Sequence, residues 1–374
     1  MKVGVDGRSL VGGGARGVAH YTAALLEALA SAYPDDEYRV LLPRGEATVP
    51  AGPQAVRHDL PARVLFGAAA VAGRPRLDAL LGDCDVVWAP APAPLAVGAT
   101  PFVLTVHDRS WEVRPQDFTH YERLWHAAAR PRRLARRAAR VLCDTEVVRG
   151  ELIREWGLDP QRVRTVPLAP RTLGGGDGPV RAAAGTVGRP VRAAAGAGGE
   201  PIRAAAAEDP YFVFVGALEP RKAPDVLSEA FRVARERGLE AELIVAGDGR
   251  VNVEAPWVRR LGHVEDLGSL YAGALAVVLP SWLEGFGLTP VEGIAAGTPA
   301  IVSDLPVLRE VLGGGALYVT PGDAAGLADA LLRVAADPAL RERLLAAGRE
   351  AIAPLSWAET ARRTRAVLAD AAGA

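Results

Sequence analysis

The sequence predicts an α/β protein built from two Rossmann-like, doubly wound parallel-sheet domains. Short apolar runs of strand length alternate with amphipathic helical patterns along most of the chain, as successive βαβ units do. The alternation stops at an alanine- and glycine-rich stretch near the middle and then resumes. A chain of 374 residues also exceeds what one ordinary core accommodates.

The first domain is expected over residues 1–170. It opens on a strand, KVGVD (2–6), and a glycine loop then leads into a helix within 12–33, where Val18, Tyr21, Leu25 and Leu29 share a face. A glycine cluster after a strand serves a bare turn as well as a phosphate. Further strands read at YRVLLP (38–43), CDVVWAP (84–90), PFVLTVHD (101–108), RVLCDTE (140–146) and RVRTVPLAP (162–170). Ligands of such sheets gather at the C-terminal strand ends, where His107 and Asp108 stand. Asp83 and Asp85 have the spacing of a DxD metal motif but precede their strand, so no metal site is expected there. Arg130, Arg132, Arg133, Arg136, Arg137 and Arg140 crowd a single stretch. Such a stretch is either a solvated helix face or a surface for anionic lipid or a phosphorylated acceptor.

Residues 171–209 change character. Pro179, Pro190 and Pro201 open near-copies of PVRAAAG, poor in large apolar residues, which reads as a tether enlarged by duplication. The second domain, 210–356, begins at YFVFVGALEPRK (211–222) and continues through ELIVAGDG (242–249), ALAVVLP (274–280), TPAIVSD (298–304) and GALYVTP (315–321). A last helix is expected over 357–374.

The stretch SWLEGFGLTPVEGIAAGTP (281–299) is the most informative in the chain. A strand breaks into a loop with Gly285 and Gly287, and a helix follows. Thr289 suits an N-cap, Pro290 the first helical position and Glu292 the reciprocal place in a capping box, with Gly297 and Pro299 ending the helix. Loop amides and a helix N-terminus favour an anion such as phosphate. A carboxylate at the first turn, Glu292, can accept two hydrogen bonds from a vicinal diol such as a ribose. Arg221 and Lys222 end the domain's first strand, and the chain contains only one other lysine, Lys2.

Composition narrows the function classes. With 49% hydrophobic residues, 23% charged residues and a formal net charge of −1, the chain reads as globular and without the basicity of a nucleic-acid binder. The start MKVGVDGRSL has no long apolar run, and no stretch nears about 18 uninterrupted apolar residues, so a cytoplasmic protein is expected. Cys84 and Cys143 form neither a disulfide framework nor a metal motif.

The pair Glu284 and Glu292, with EGFGLTPVE between, resembles the Glu-x7-Glu signature of the family-4 retaining glycosyltransferases of GT-B fold; TVHD and EPRK match that family as well, and together with GVDGRSL the pattern is most similar to bacterial polysaccharide mannosyltransferases. The resemblance implies two domains facing across a cleft, with a final helix crossing back to the first. It implies transfer of a hexose from a nucleotide diphosphate sugar, GDP-mannose first and UDP-glucose or a dTDP-deoxysugar next, to a saccharide, a lipid-linked saccharide or a small-molecule hydroxyl. The donor is a substrate, and neither cofactor nor metal is expected. By the same resemblance His107 and Glu284 orient the sugar, Arg221 and Lys222 neutralise the diphosphate, and Glu292 holds the ribose. Gly285, Phe286, Gly287, Leu288 and Thr289 form the phosphate loop, Val264 and Asp266 lie near the base, and Gly17 and Asp108 complete the substrate contacts. The arginines from 130 to 140 offer a peripheral membrane contact. Ala223 departs from the family, which commonly has Asn or Gly after EPRK. A sugar-nucleotide epimerase and a silent nucleotide-binding partner stay open as alternatives.

Overall fold

The computed structural model describes residues 1–12, 17–171, 191–192, 203–204, 210–262, 264 and 266–373. Its chain divides into two compact units, Met1–Ala169 with Leu355–Ala374, and Pro170–Pro354.

The first unit carries a seven-stranded sheet made of β1 (Lys2–Asp6), β2 (Glu37–Arg44), β3 (Gln54–Pro61), β4 (Val86–Ala89), β5 (Phe102–Thr105), β6 (Arg140–Cys143) and β7 (Val163–Thr165). They lie in the order β3-β2-β1-β4-β5-β6-β7, every pair parallel. β3 was not readable beforehand for a physical reason. It is an edge strand with most of its side chains exposed, so QAVRHDLP carries no apolar pattern. Helices α1 (Gly17–Ala32), α2 (Ala62–Ala72), α3 (Leu77–Leu81), α4 (Ser110–Val113), α5 (His120–Ala129), α6 (Pro131–Arg137) and α7 (Glu146–Trp156) connect the strands. Tyr21, Leu25 and Leu29 of α1 are buried as one face, and Trp88 at the sheet centre donates its indole N–H to Thr105 Oγ1 at 3.1 Å.

The linker assigned to 171–209 and its 11-residue repeat fall largely outside the described residues. Two short strands within it, β8 (Val191–Arg192) and β9 (Arg203–Ala204), pair antiparallel.

The second unit holds β10 (Tyr211–Val215), β11 (Glu242–Ala246), β12 (Val258–Gly262), β13 (Val277–Leu279), β14 (Ala300–Ser303) and β15 (Ala316–Val319), all parallel, in the order β12-β11-β10-β13-β14-β15. Its helices are α8 (Pro224–Glu236), α9 (Leu267–Ala272), α10 (Leu288–Ala295), α11 (Pro306–Leu312), α12 (Ala324–Ala336) and α13 (Pro338–Ile352). β10 shows why the sheet is covered twice. Phe212 and Phe214 point into one core with Leu227 and Phe231 of α8, whereas Tyr211 and Val213 point into another with Leu270 and Tyr271 of α9. Alternation of period two therefore buries both faces, and the strand reads as an unbroken apolar run.

The last helix, α14 (Trp357–Ala372), belongs to the first unit and packs on α1. Arg365 forks onto Asp36 through Nε and Nη2 at 2.7 and 3.2 Å, and Arg140 Nε reaches Asp370 at 2.6 Å. Bidentate geometry on a carboxylate that is only 3% exposed makes the first pair the stronger anchor. No helix among the described residues is long and apolar enough to cross a membrane.

Ala223 occupies backbone that favours Asn or Gly. It sits at φ +50° and ψ +48°, in left-handed backbone, between the turn at Pro220–Lys222 and α8, and it is fully buried. An L-residue with a Cβ is strained there by about 1 kcal/mol, and Gly and Asn adopt the conformation most readily. Ala223→Gly is therefore expected to stabilise the protein by about 1 kcal/mol, a rise of roughly 2–4 °C in Tm for a unit of this size. Differential scanning calorimetry checks this, and a lowered Tm would mean that the lost methyl packing outweighs the relieved strain.

Candidate active site

In the second unit, β10 and β13 are neighbours in the sheet although their crossovers depart toward opposite edges. Ligands of open α/β sheets bind outside the strand ends at such a switch point. The loop after β10 carries Arg221 and Lys222, and the loop after β13 carries Glu284, Gly285 and Phe286. Trp282 N–H donates to the Arg221 carbonyl at 2.9 Å and ties the two loops together. Lys222 Nζ meets Glu284 Oε1 at 2.5 Å, with side chains only 13% and 7% exposed. Arg221 Nε lies 3.1 Å from Glu219 Oε2. Phe286 is buried and roots the loop.

The start of α10 corrects one expectation. Gly287, at φ +90° with Leu308 where a side chain would have to go, is the N-cap, so the helix begins before Thr289 and no side chain caps it. The capping box at Thr289 and Glu292 does not form. Thr289 donates its hydroxyl to the Val215 carbonyl at 3.2 Å instead, Pro290 is the third helical residue, and Glu292 turns inward. Leaving the N-terminus uncapped keeps the Leu288 and Thr289 amides available to an anion at the positive end of the helix.

Glu292 is buried and held by two residues that sequence reasoning missed. Tyr271, itself fully buried, donates its hydroxyl to Glu292 Oε2 at 3.0 Å, and Arg171 Nε lies 3.4 Å from Oε1. Burial pushes the Glu292 pKa up against the opposing pull of Arg171 and Tyr271. No local motif announces either residue, and Arg171 falls at the start of the stretch that reads as linker. Val264 is buried in the core beside Tyr211 and Leu267, and Asp266 caps α9 by accepting from Ser269 N at 3.2 Å and Ser269 Oγ at 2.7 Å.

In the first unit, His107 and Asp108 follow β5. The β5–β6 register, Thr105 opposite Leu142, sets His107 level with Asp144, which is the signal that could have found the latter. His107 Nδ1 meets Asp144 Oδ2 at 2.7 Å, and Nε2 reaches the Pro90 carbonyl at 3.1 Å. A carbonyl can only accept, so Nε2 carries a proton, and a carboxylate on the other nitrogen selects the imidazolium. Burial disfavours that charge, but the Asp144 carboxylate, through its field and its hydrogen bond, outweighs it and raises the His107 pKa. The Tyr21 ring stands edge-on at 4.7 Å. Asp108 Oδ1 accepts from Ser110 N and Oγ at 2.8 and 2.7 Å, a local turn contact. Gly17 is the exposed first residue of α1, and residues 13–16 of the loop before it lie outside the described ones.

Two charged motifs also find their places. Asp83 pairs with Lys2 Nζ at 2.8 Å, and Asp85 accepts the Lys2 N–H at 2.7 Å, at the strand ends opposite His107. The arginine stretch is not one helix. α5 stops at Ala129, Arg130 takes a left-handed turn at φ +47°, α6 restarts at Pro131, and Arg140 is on β6.

The stretches that carry these groups match known families. Residues 15–169 match the family model described as Glycosyltransferase Family 4, and residues 209–337 match that of Glycosyl transferases group 1. A phosphatidyl-myo-inositol mannosyltransferase of Mycobacterium leprae is 37% identical over 155 residues, covering 38% of this chain and 41% of that protein. The O-antigen chain mannosyltransferase B of Escherichia coli is 32% identical over 168 residues, 41% of this chain and 44% of that one. The chain thus spans less than half the length of these curated relatives. Among solved structures, sucrose-phosphate synthase from Thermosynechococcus elongatus superposes with a TM-score of 0.69 at 18% identity, covering 99% and 98% of the two chains. Anabaena HepE, in complex with UDP and glucose, gives 0.68 at 16% identity, covering 98% and 99%.

The His107–Asp144 pair sets a pH dependence. A histidine whose folded pKa is raised contributes stability that is present below its unfolded value near 6.5 and is lost as pH climbs through the folded value. Burial also raises the Asp144 pKa, which acts with the same sign. His126, lowered by burial, acts oppositely but below pH 6.5. As pH rises above 6.5 the unfolding free energy is expected to fall, by up to about 1.4 kcal/mol per pH unit, until His107 has lost its proton in the folded protein. Urea titrations across that range, on the native protein and on His107→Gln, check it; an equal slope in both proteins would remove His107 as the cause.

Proposed function

This chain belongs to the glycosyltransferases of GT-B fold, and we propose that it moves a hexose, mannose by first choice, from a nucleotide diphosphate sugar to a hydroxyl acceptor with retention of configuration. The observation that carries the reading is the convergence of Arg221, Lys222 and the uncapped N-terminus of α10 on one switch point, with Glu292 one turn into the helix. A departing nucleoside diphosphate gains negative charge in the transition state, and fixed positive groups stabilise it most. Two cationic side chains and a helix N-terminus supply them without a divalent metal. In the free protein Lys222 is neutralised by Glu284, so the diphosphate enters by taking over Lys222 and releases Glu284 to accept sugar hydroxyls. His107 is the second sugar-orienting residue by resemblance. The mannose assignment rests on the names of the curated relatives and on the motif pattern.

Retention follows in this reading from attack on the face the phosphate leaves, with a phosphate oxygen taking the acceptor proton. No protein base is then required, and rate enhancement comes from positioning and leaving-group stabilisation. A saccharide, a lipid-linked saccharide or a small alcohol can serve as acceptor, and a lipid-linked one would bring the stretch from Arg130 to Arg140 to the inner face of a bilayer.

Turnover of GDP-mannose should survive EDTA. Lys222→Ala should lower kcat by roughly 10²-fold with a smaller change in donor KM, because its partner charge grows as the bond breaks. Glu292→Ala should chiefly raise donor KM, since ribose contacts are alike in ground and transition states. Steady-state kinetics separate these effects; EDTA-sensitive turnover restored by magnesium, with a near-silent Lys222→Ala, would move the electrostatic centre elsewhere. Stabilisation by UDP or dTDP but not by GDP in a thermal-shift panel would reverse the donor ranking.

Arg171 supplies a further test of the Glu292 assignment. Its guanidinium lies on the carboxylate that a ribose must engage, so Arg171→Ala is expected to tighten nucleotide binding by roughly 2–5-fold, the range of a partly exposed ion pair. Calorimetric titration with GDP reads this directly, and a weakened Kd would make Arg171 a support for Glu292 rather than a competitor.

A further inference from the structure

The arginine stretch divides into two sets by contact. Arg132 Nε bonds Glu112 Oε1 at 2.7 Å and Arg136 Nη2 bonds the Trp156 carbonyl at 2.8 Å, so both are committed within the fold. Arg130, Arg133 and Arg137, spaced three and four apart, share the other side and line a cavity of about 300 Å³. Its remaining walls come from the C-terminal ends of α2 and α5 and from the segment Pro94, Leu95, Ala96 and Val97; they contain no carboxylate. Arg137 Nη2 touches the Val97 carbonyl at 3.3 Å, while Arg130 and Arg133 make no ion pair among the described residues.

Charge and surface agree on the occupant. Two helix C-termini contribute about −0.5 each against three guanidinium charges, which leaves a surplus of about +2, the complement of a phosphomonoester dianion. Two strongly exposed large apolar side chains stand next to wall residues of the same cavity. Val71, near the end of α2, is 91% exposed, and Leu124, on α5, is 70% exposed. Val71 follows the wall residue Ala70, and Leu124 is one turn before the wall residue Ala128. A soluble phosphate has no use for such a rim, whereas a lipid surface covers it.

We propose that this cavity binds the phosphomonoester headgroup of an anionic membrane lipid, with the α2–α5 rim entering the interface. The proposal rests on the membrane contact included in the functional reading and replaces the broad arginine stretch by three named residues. Flotation of the full chain with vesicles of phosphatidylcholine doped with phosphatidic acid, or with phosphatidylglycerol at matched charge, tests it. Phosphatidic acid should be preferred several-fold. Arg130→Gln with Arg133→Gln should reduce partitioning by roughly 30-fold, and Val71→Asp with Leu124→Asp by a similar factor, with Tm and GDP binding unchanged as the control for folding. Failure to bind any anionic vesicle would sink both the membrane reading and the site. Binding that ignores all four substitutions, or that treats the two lipids alike, would keep the membrane contact and overturn the cavity. Release by millimolar inorganic phosphate, with no effect of the Val71 and Leu124 changes, would assign the cavity to a free anion and overturn the lipid.

Discussion

The constraint on which the second unit depends is the side-by-side placement of β10 and β13, whose chains must leave toward opposite faces. α8 follows β10 onto the face holding Phe212 and Phe214, and α10 follows β13 onto the face where Gly293 sits against Val277. Right-handed crossovers running to opposite edges cannot cover the gap between the two strand ends. Each loop is left to fill it, and each does so with charge. Lys222 and Glu284 meet in that gap, and the Trp282 to Arg221 hydrogen bond fixes the spacing at which they meet.

The charged groups at these positions all have partners within the protein. Lys222 has Glu284, Glu292 has Tyr271 and Arg171, and His107 has Asp144 and the Pro90 carbonyl. A buried charge without a partner is costly, so a site that must later exchange partners keeps provisional ones in place. Tyr271 is the fixed member of its set, since it is fully buried and its carbonyl is held by Thr298, whereas Arg171 is about one-third exposed. In the proposed reading, the nucleotide exchanges Arg171 while Tyr271 keeps Glu292 in place.

The sheet strands were legible because burial on both faces writes them as apolar runs; YFVFV and AIVS need no context. β3 was illegible because its exposed edge position removes the pattern. The residues at strand ends, His107 and Lys222, could be singled out because ligands of such sheets gather there and because TVHD and EPRK carry the family resemblance. Their partners could not. Asp144 is set by a register across two strands, and Tyr271 and Arg171 reach Glu292 from 21 and 121 positions away in the chain. The capping box failed for a local reason, a left-handed Gly287 that starts the helix two residues early, and the departure at Ala223 became intelligible only once its φ was known.

The placement of α14 bears on the order in which the units are completed during synthesis. Its sixteen residues, Trp357–Ala372, close the first unit against α1 and bring Arg365 to Asp36. All of Pro170–Pro354 leaves the ribosome before that helix does, so the second unit has every one of its elements in hand while the first still exposes the apolar flank of α1. Folding of the nascent chain therefore runs out of sequence order: the unit begun first is the one finished last, and its uncovered α1 surface is what a chaperone would meet in the interval.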